Sequence, residues 1–432
     1  MKINLFRFLP LAAFSVAGVF AATQPFIKEG IWRGEFTVGS DQVPFNFELK
    51  GATPDTATLT LLNGTRRDDF KVTQQEDGTL YIKLNTYDAA LVAKIDTDTH
   101  LTGAFKSLVQ RSGPARDIPF VAVQGQSWRF VEPGKEIPPK ADLSGKWAFN
   151  VTGNEKTINN VALFKQQGNR ITGVTLAVTG DSRELEGNVQ GDDVWLSHFS
   201  GSGPRLIHGK ITADGKIVGS LGRGQTFEAI KDAKADLPDL YAVTYLKDGQ
   251  KTLDFSFPSI DGGTVSLKDE KYKGKVVIVD ILGTWCPNCA DETEFLAPWF
   301  AANKQRGVEA IGVAFEQKDD FAYAQKTLGI FRKHYGIQYD LVFGGLADKK
   351  LATEKLKGIN ALAAFPTTFI IDRQGTVREI YTGYTGTITG EYYKDYVAKF
   401  NALIDRLVAE PNPFEDAAKT TAPAGKPVAR SQ

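Results

Sequence analysis

Two cysteines three positions apart, in Trp285-Cys286-Pro287-Asn288-Cys289, are the residues of this 432-residue chain best suited to chemistry, and the chain has no others. A disulfide between them closes too small a loop to constrain the unfolded chain, and disulfide-stapled secreted domains are short and cysteine-dense. The pair therefore suits redox exchange better than stapling. If Cys286 starts a helix, unpaired backbone N–H groups and the helix dipole stabilise its thiolate. Such a thiolate attacks a substrate disulfide, and Cys289, one turn on, resolves the mixed disulfide.

Two carboxylates lie close by in sequence. Asp280 ends the β-branched run Val276-Val277-Ile278-Val279, and Glu292 follows Cys289 by three residues. A carboxylate in a strand covered on both faces is costly unless it has a task, although a solvated strand end would hold one freely. Glu292, beside Asp291 and Glu294, reads equally as part of a solvated helix face. With its pKa raised by desolvation, either acid could take the proton from Cys289. A zinc site would need further ligands, and His100, His198, His208 and His334 are scattered, so no metal is expected.

The elements that must position these groups are legible around them. Val276–Val279 reads as a buried strand, with a helix after Cys286 that ends near Gly307. Val308–Phe315 is a second strand, Phe321–Tyr335 a helix, Phe369–Ile371 a third core strand, and Val377–Tyr381 its hairpin partner. Tyr392–Val408 is an amphipathic terminal helix with Tyr393, Val397, Phe400, Ile404 and Leu407 on one side.

Strand, Trp-Cys-x-x-Cys, helix and the later Phe365-Pro366-Thr367-Thr368-Phe369 together resemble the thioredoxin superfamily, in particular its periplasmic TlpA/ResA-like branch. The resemblance spans about residues 253–408. It implies an α/β thioredoxin-like fold over 250–409, with Cys286 as nucleophile and Cys289 as resolving thiol. It further implies a cis peptide at Phe365-Pro366 set against the cysteines, which frees neighbouring backbone to pair with an incoming peptide. Trp285, Pro287, Asn288, Phe365 and Pro366 become the substrate-facing residues, Trp285 flanking an exposed Cys286. Asp280 stands where thioredoxins carry a buried aspartate, and Glu292 where ResA-like chains carry a glutamate; carrying both is a departure from the branch. So is Glu294, which occupies the place of the kinking proline of thioredoxins, with Pro298 one turn later. The activating Pro-x-x-x-Thr-x-x-Cys stretch of peroxiredoxins surrounds neither cysteine.

Residues 25–235 are of another kind. Alternating runs such as Val43–Leu49 and Thr79–Leu84, the latter after Asp77-Gly78, read as antiparallel strands joined by hairpins. Lys94-Ile95, Asp98, Leu101 and Gly103 recur at a constant offset as Lys210-Ile211, Asp214, Ile217 and Gly219, and Gly30-Ile31-Trp32 recurs as Gly145-Lys146-Trp147. This predicts two copies of an all-β module, antiparallel barrel or sandwich, over 25–131 and 142–232. The linker Glu132–Lys140 separates them. A Gly-x-Trp opening followed by a meander resembles lipocalin-like barrels, while Trp32, Trp128, Trp147 and Trp195 read as core residues rather than a ligand platform.

Lys2, Arg7 and an apolar stretch from Phe8 to about Ala22 read as a signal peptide over 1–21, cleaved near Ala21, which predicts a periplasmic protein. Residues 411–432, rich in Ala, Pro, Thr and Lys, read as a disordered tail. With 51 basic and 51 acidic side chains, the charge balance points away from nucleic acid. The expectation is an exported thiol–disulfide oxidoreductase acting on protein thiol and disulfide clients, with no cofactor beyond the Cys286–Cys289 pair. The resemblance favours a reductant recharged by a membrane electron donor. An oxidase or isomerase of the same chemistry is the alternative, as is a β-module binding protein, of unknown ligand, with a redox appendage.

Overall fold

The computed structural model describes residues 27–414 apart from 52, 54, 55, 110–116, 154, 155 and 223. The proposed signal segment and most of the proposed tail lie outside the described residues.

The first β module closes on itself. Strands β1 (Gly30–Val38), β2 (Asp41–Lys50), β3 (Thr58–Asn63), β4 (Arg66–Gln74), β5 (Leu80–Lys83), β6 (Ala89–Thr97), β7 (His100–Ser107) and β8 (Ile118–Gln124) form an eight-stranded barrel. β1 pairs antiparallel with both β2 and β8 and closes the ring. Alternation decides what fills it: Val43, Phe45, Phe47 and Leu49 of β2 point inward and join Trp32, Phe36, Leu59, Leu61 and Phe70 in one core. Side chains, rather than an open cup, occupy this interior.

The second module repeats the plan. Its strands are β9 (Gly145–Gly153), β10 (Lys156–Gln167), β11 (Arg170–Ala177), β12 (Gly180–Asp181), β13 (Leu185–Gln190), β14 (Asp193–Ser200), β15 (Gly203–Ile211), β16 (Ile217–Gly222) and β17 (Gln225–Lys231). β9 pairs with β10 and β17, and β10 pairs with β11, so the sheet closes with β12 as an extra strand on β11. The recurring residues occupy matching places. Trp32 and Trp147 are buried, and each indole N–H donates to the carbonyl four residues earlier, Lys28 at 3.1 Å and Leu143 at 2.8 Å. Gly103 and Gly219 both lie against the preceding strand, where a Cβ would come within 2.3 Å of Val92 O and 2.0 Å of His208 O. A side chain at either position would push two strands apart.

The barrels are joined by more than their linker. Phe199 of β14 belongs to the core of the first barrel, and Asn63 pairs with its backbone, donating to Phe199 O at 2.8 Å and accepting from Phe199 N at 3.3 Å. Buried Arg129 donates to Leu62 O and, at 3.0 Å, to Ser197 Oγ.

Residues beyond about 237 form an α/β unit. After a small hairpin of β18 (Ser256–Pro258) and β19 (Thr264–Ser266) come β20 (Val276–Leu282), α1 (Pro287–Asn303), β21 (Val308–Glu316), α2 (Phe321–Tyr335), β22 (Asp340–Leu346), α3 (Lys349–Lys355), β23 (Thr367–Ile371), β24 (Val377–Thr382) and α4 (Glu391–Ala409). The sheet order is β22-β21-β20-β23-β24, with β20, β21 and β22 parallel and β23 and β24 antiparallel. Every residue of β20 is buried, as a central strand under helices requires. This is the thioredoxin-like fold. α1 runs through Pro298 as one helix from Pro287 to Asn303, so the displaced proline does not end it. α4 buries Tyr396 and Leu403 besides Phe400, Ile404 and Leu407, whereas Tyr393 and Val397 are only half covered.

Candidate active site

Cys286 is the N-cap of α1. Its backbone is extended (φ −94°, ψ 120°), and its sulfur accepts from the Cys289 N–H at 3.3 Å. Pro287 occupies the first helical position, where its missing N–H costs nothing. A backbone donor of the helix's first turn is thus aimed at the sulfur. The Cys286 thiol in turn donates to Phe365 O at 3.4 Å. The Phe365–Pro366 peptide is cis, and Pro366 O accepts from Gly383 N at 2.9 Å. Both cysteines are free thiols. Cys289 is wholly buried, and burial, then the hydrogen bond and charge of Cys286, push its thiol well above the ordinary range.

Asp280 is fully buried in β20 and Glu292 is buried on α1, so neither belongs to a solvated surface. Burial first, then the neighbouring Glu292, raises Asp280 well above the carboxylate range. Burial pushes Glu292 up to about 7, against the hydrogen bonds that lower it. Glu292 Oε1 accepts from Thr368 Oγ1 at 2.5 Å and from the Tyr396 hydroxyl at 3.3 Å. Among the described residues, nothing donates to either oxygen of Asp280 or to Oε2 of Glu292. Two adjacent buried carboxyls in that condition cannot both ionise, and the stable arrangement holds a proton between them. The charge of Asp280 also raises the Cys289 thiol.

The loop before the cysteines is held by a residue the sequence reading did not single out. Buried Glu316, at the end of β21, accepts from Thr284 N at 3.0 Å and Thr284 Oγ1 at 2.8 Å. Trp285 is half-buried, donates to Phe315 O at 2.9 Å and meets the Phe365 ring edge-on, with centroids 5.5 Å apart.

One expectation is corrected. Cys286 is not exposed: only 5% of its surface is accessible, because the second barrel lies over it. Asn288 donates to Thr179 O at 3.2 Å, and Arg183 donates to Pro287 O at 2.8 Å. Arg183 also makes a two-pronged pair with Asp291, at 2.9 and 2.6 Å. Asp181 accepts from Gly386 N at 2.6 Å, and its own N–H donates to Tyr384 O at 3.2 Å. Nothing in the local spacing of Arg183 or Asp181 signals this role. Elsewhere, Trp32 and Trp147 are core residues, but Trp128 and Trp195 are half-buried and line a cleft of about 600 Å³ beside Phe130 and His208. The Trp195 ring is stacked with both Phe130 and His208.

Comparison with known proteins agrees with this geometry. Residues 249–380 match the AhpC/TSA family. The chain is 32% identical over 152 residues to the thiol-disulfide oxidoreductase ResA of Bacillus thuringiensis, a match covering 35% of this chain and 77% of that protein. It is 31% identical over 141 residues to the thioredoxin-like protein YneN of Bacillus subtilis, covering 32% and 73% respectively. Among solved structures it is similar to a thiol:disulfide interchange protein of the thioredoxin family from Chlorobium tepidum, at 23% identity and a TM-score of 0.28, covering 38% of this chain and all of that one. The protein is a thiol–disulfide oxidoreductase, and through its C-terminal part it belongs to the thioredoxin-like family of ResA.

Proposed function

We propose that the protein is exported and exchanges disulfides with cysteines of other exported proteins, acting as their reductant. The observation that carries the chemistry is the Cys286 sulfur at the start of α1, with the Cys289 N–H donating to it and the second sulfur one turn away. In the proposed cycle the Cys286 thiolate attacks one sulfur of a client disulfide, and the other client sulfur leaves as a thiolate. Cys289 then loses its proton to the Asp280–Glu292 pair and attacks Cys286. The Cys286–Cys289 bond forms and the client departs reduced by two electrons. The pair needs no other cofactor. A membrane electron donor returns the electrons, as the TlpA/ResA resemblance implies. Trp285, Phe365 and Pro366 form the face that meets the client, and Pro287 and Asn288, tied to the second barrel, meet it only along the edge that lines the cavity beside Cys286.

Trapping tests the exchange. With Cys289→Ala, clients should accumulate disulfide-bonded to Cys286, and the further change Cys286→Ala should abolish every adduct. Adducts that persist without Cys286 overturn the assignment. The direction is tested by the reduction potential: a value near the roughly −270 mV of thioredoxin supports a reductant, and one near the roughly −120 mV of DsbA reverses it.

A further inference from the structure

The second barrel does more than adjoin the thioredoxin-like unit. The turn between β11 and β12, with the residues that follow to Arg183, lies across the dipeptide between the cysteines and the loop after β24. Its approach is close, against the Asn288 side chain and against the backbone of Gly383. A Cβ on Gly180 would stand 1.9 Å from Asn288 Nδ2, and one on Gly383 would stand 2.8 Å from Gly180 N and Val178 O. Arg183 is buried, its backbone φ is +61°, and its guanidinium ties the turn to Pro287 O and Asp291. Arg66 of the first barrel reaches the same Asp291 carboxylate at 3.1 Å. These directed contacts hold the turn against the active-site loop.

Between that turn and Cys286 lies a cavity of about 210 Å³, lined by Thr179, Arg183, His198, Ser200, Cys286 and Asn288, among others. It is smaller than the roughly 300–1,000 Å³ of sites that hold a drug-sized ligand, so it has room for one or two residues of a chain. Its lining is polar. His198 is buried and donates through Nδ1 to Glu184 O at 2.9 Å, which leaves Nε2 as an acceptor with no partner among the described residues. A buried acceptor in that state gains from any donor a ligand brings.

We propose that the turn Val178–Arg183 makes Cys286 selective for disulfides carried on short or unfolded extended peptide segments, and excludes disulfides set in a folded surface. This rests on the exchange chemistry proposed above and adds the class of client. A single cystine with its flanking residues can enter the cavity and meet the sulfur. A folded surface is stopped by the turn before its disulfide arrives.

The test compares two probes on the full chain: a short unstructured peptide with one disulfide, and a small folded protein whose disulfide is solvent-exposed. In parallel, Cys286 is labelled with iodoacetamide and with a maleimide carrying a polyethylene glycol chain. Two barrel variants release the turn by different means. Arg183→Ala removes the tie, and Gly180→Leu wedges the turn off Asn288. In each, the rate on the folded probe relative to the peptide probe should rise about tenfold or more, and the bulky maleimide should gain on iodoacetamide. An unchanged ratio in a variant that remains folded by circular dichroism overturns the proposal. If both variants unfold, equal labelling of native Cys286 by the small and bulky reagents overturns it, and slow labelling by the bulky reagent alone supports it. Failure of the wild-type chain to reduce either probe instead counts against the exchange reading itself.

Discussion

At the scale of single residues, the acids behind the cysteines determine how the site responds to pH. Glu292 ionises near 4.5 in the unfolded chain and is pushed up to about 7 in the fold. Below that lower value it is protonated in both states. As pH rises, the unfolded chain releases a proton that the fold retains, so stability falls until the folded group also titrates. Glu292→Gln keeps an acceptor for Thr368 and Tyr396 but cannot ionise. Its loss of stability between about pH 5 and pH 8 should be smaller than that of the wild type by roughly 1–3 kcal/mol, measured by denaturant midpoints at each pH. The same substitution should slow release of trapped clients by about 100-fold or more and remove an inflection near neutrality from the pH profile. An unchanged profile would assign the proton transfer elsewhere. These residues were legible in sequence because Asp280 ends an unbroken apolar run and Glu292 follows Cys289 by one helical turn. Thr368, Tyr396 and Glu316 were not, since each reaches the site from another element through tertiary packing alone.

Among the elements, those with a strong period were readable and those without one were not. β20, β21, α2 and α4 follow their apolar patterns closely. β22 and α3 escaped because Gly344-Gly345 interrupts the strand, Gly345 adopts φ +126°, and α3 spans only Lys349–Lys355, too short to show a period. The β modules were legible as alternating strands, but closure was not, because closing a sheet depends on the pairing of β1 with β8 and of β10 with β11. One cation, Arg129, carries part of the contact between barrels, beside Phe199 and Asn63. Arg129→Ala would leave the carbonyl of Leu62 and the hydroxyl of Ser197 without that donor. It should destabilise the barrel pair by about 2–4 kcal/mol in chemical denaturation. Labelling of Cys286 by iodoacetamide should stay at its wild-type rate, since Arg129 does not touch the site.

For the molecule as a whole, the barrels and the thioredoxin-like unit share a buried polar seam that composition and periodicity could not reveal. Arg183, Asp181 and Asp291 look like ordinary surface charges in sequence, and only the docked arrangement makes them partners. Segments 178–183, 287–291 and 383–386 should therefore be protected together in hydrogen exchange. Arg183→Ala should release all three at once, while protection of the β20 and β21 amides is retained. Release of 178–183 alone would show that the seam is not one cooperative unit.

The sulfur that caps α1 has a thermodynamic consequence for the electron balance. As a thiolate it can hold the Cys289 amide strongly, and as half of a disulfide it is a neutral and poorer acceptor. Whatever capping energy is lost on oxidation favours the dithiol form, and each ~1.4 kcal/mol so lost raises the midpoint voltage by about 30 mV. A hydrogen bond that serves to begin a helix thereby also adjusts how readily the protein gives up its two electrons.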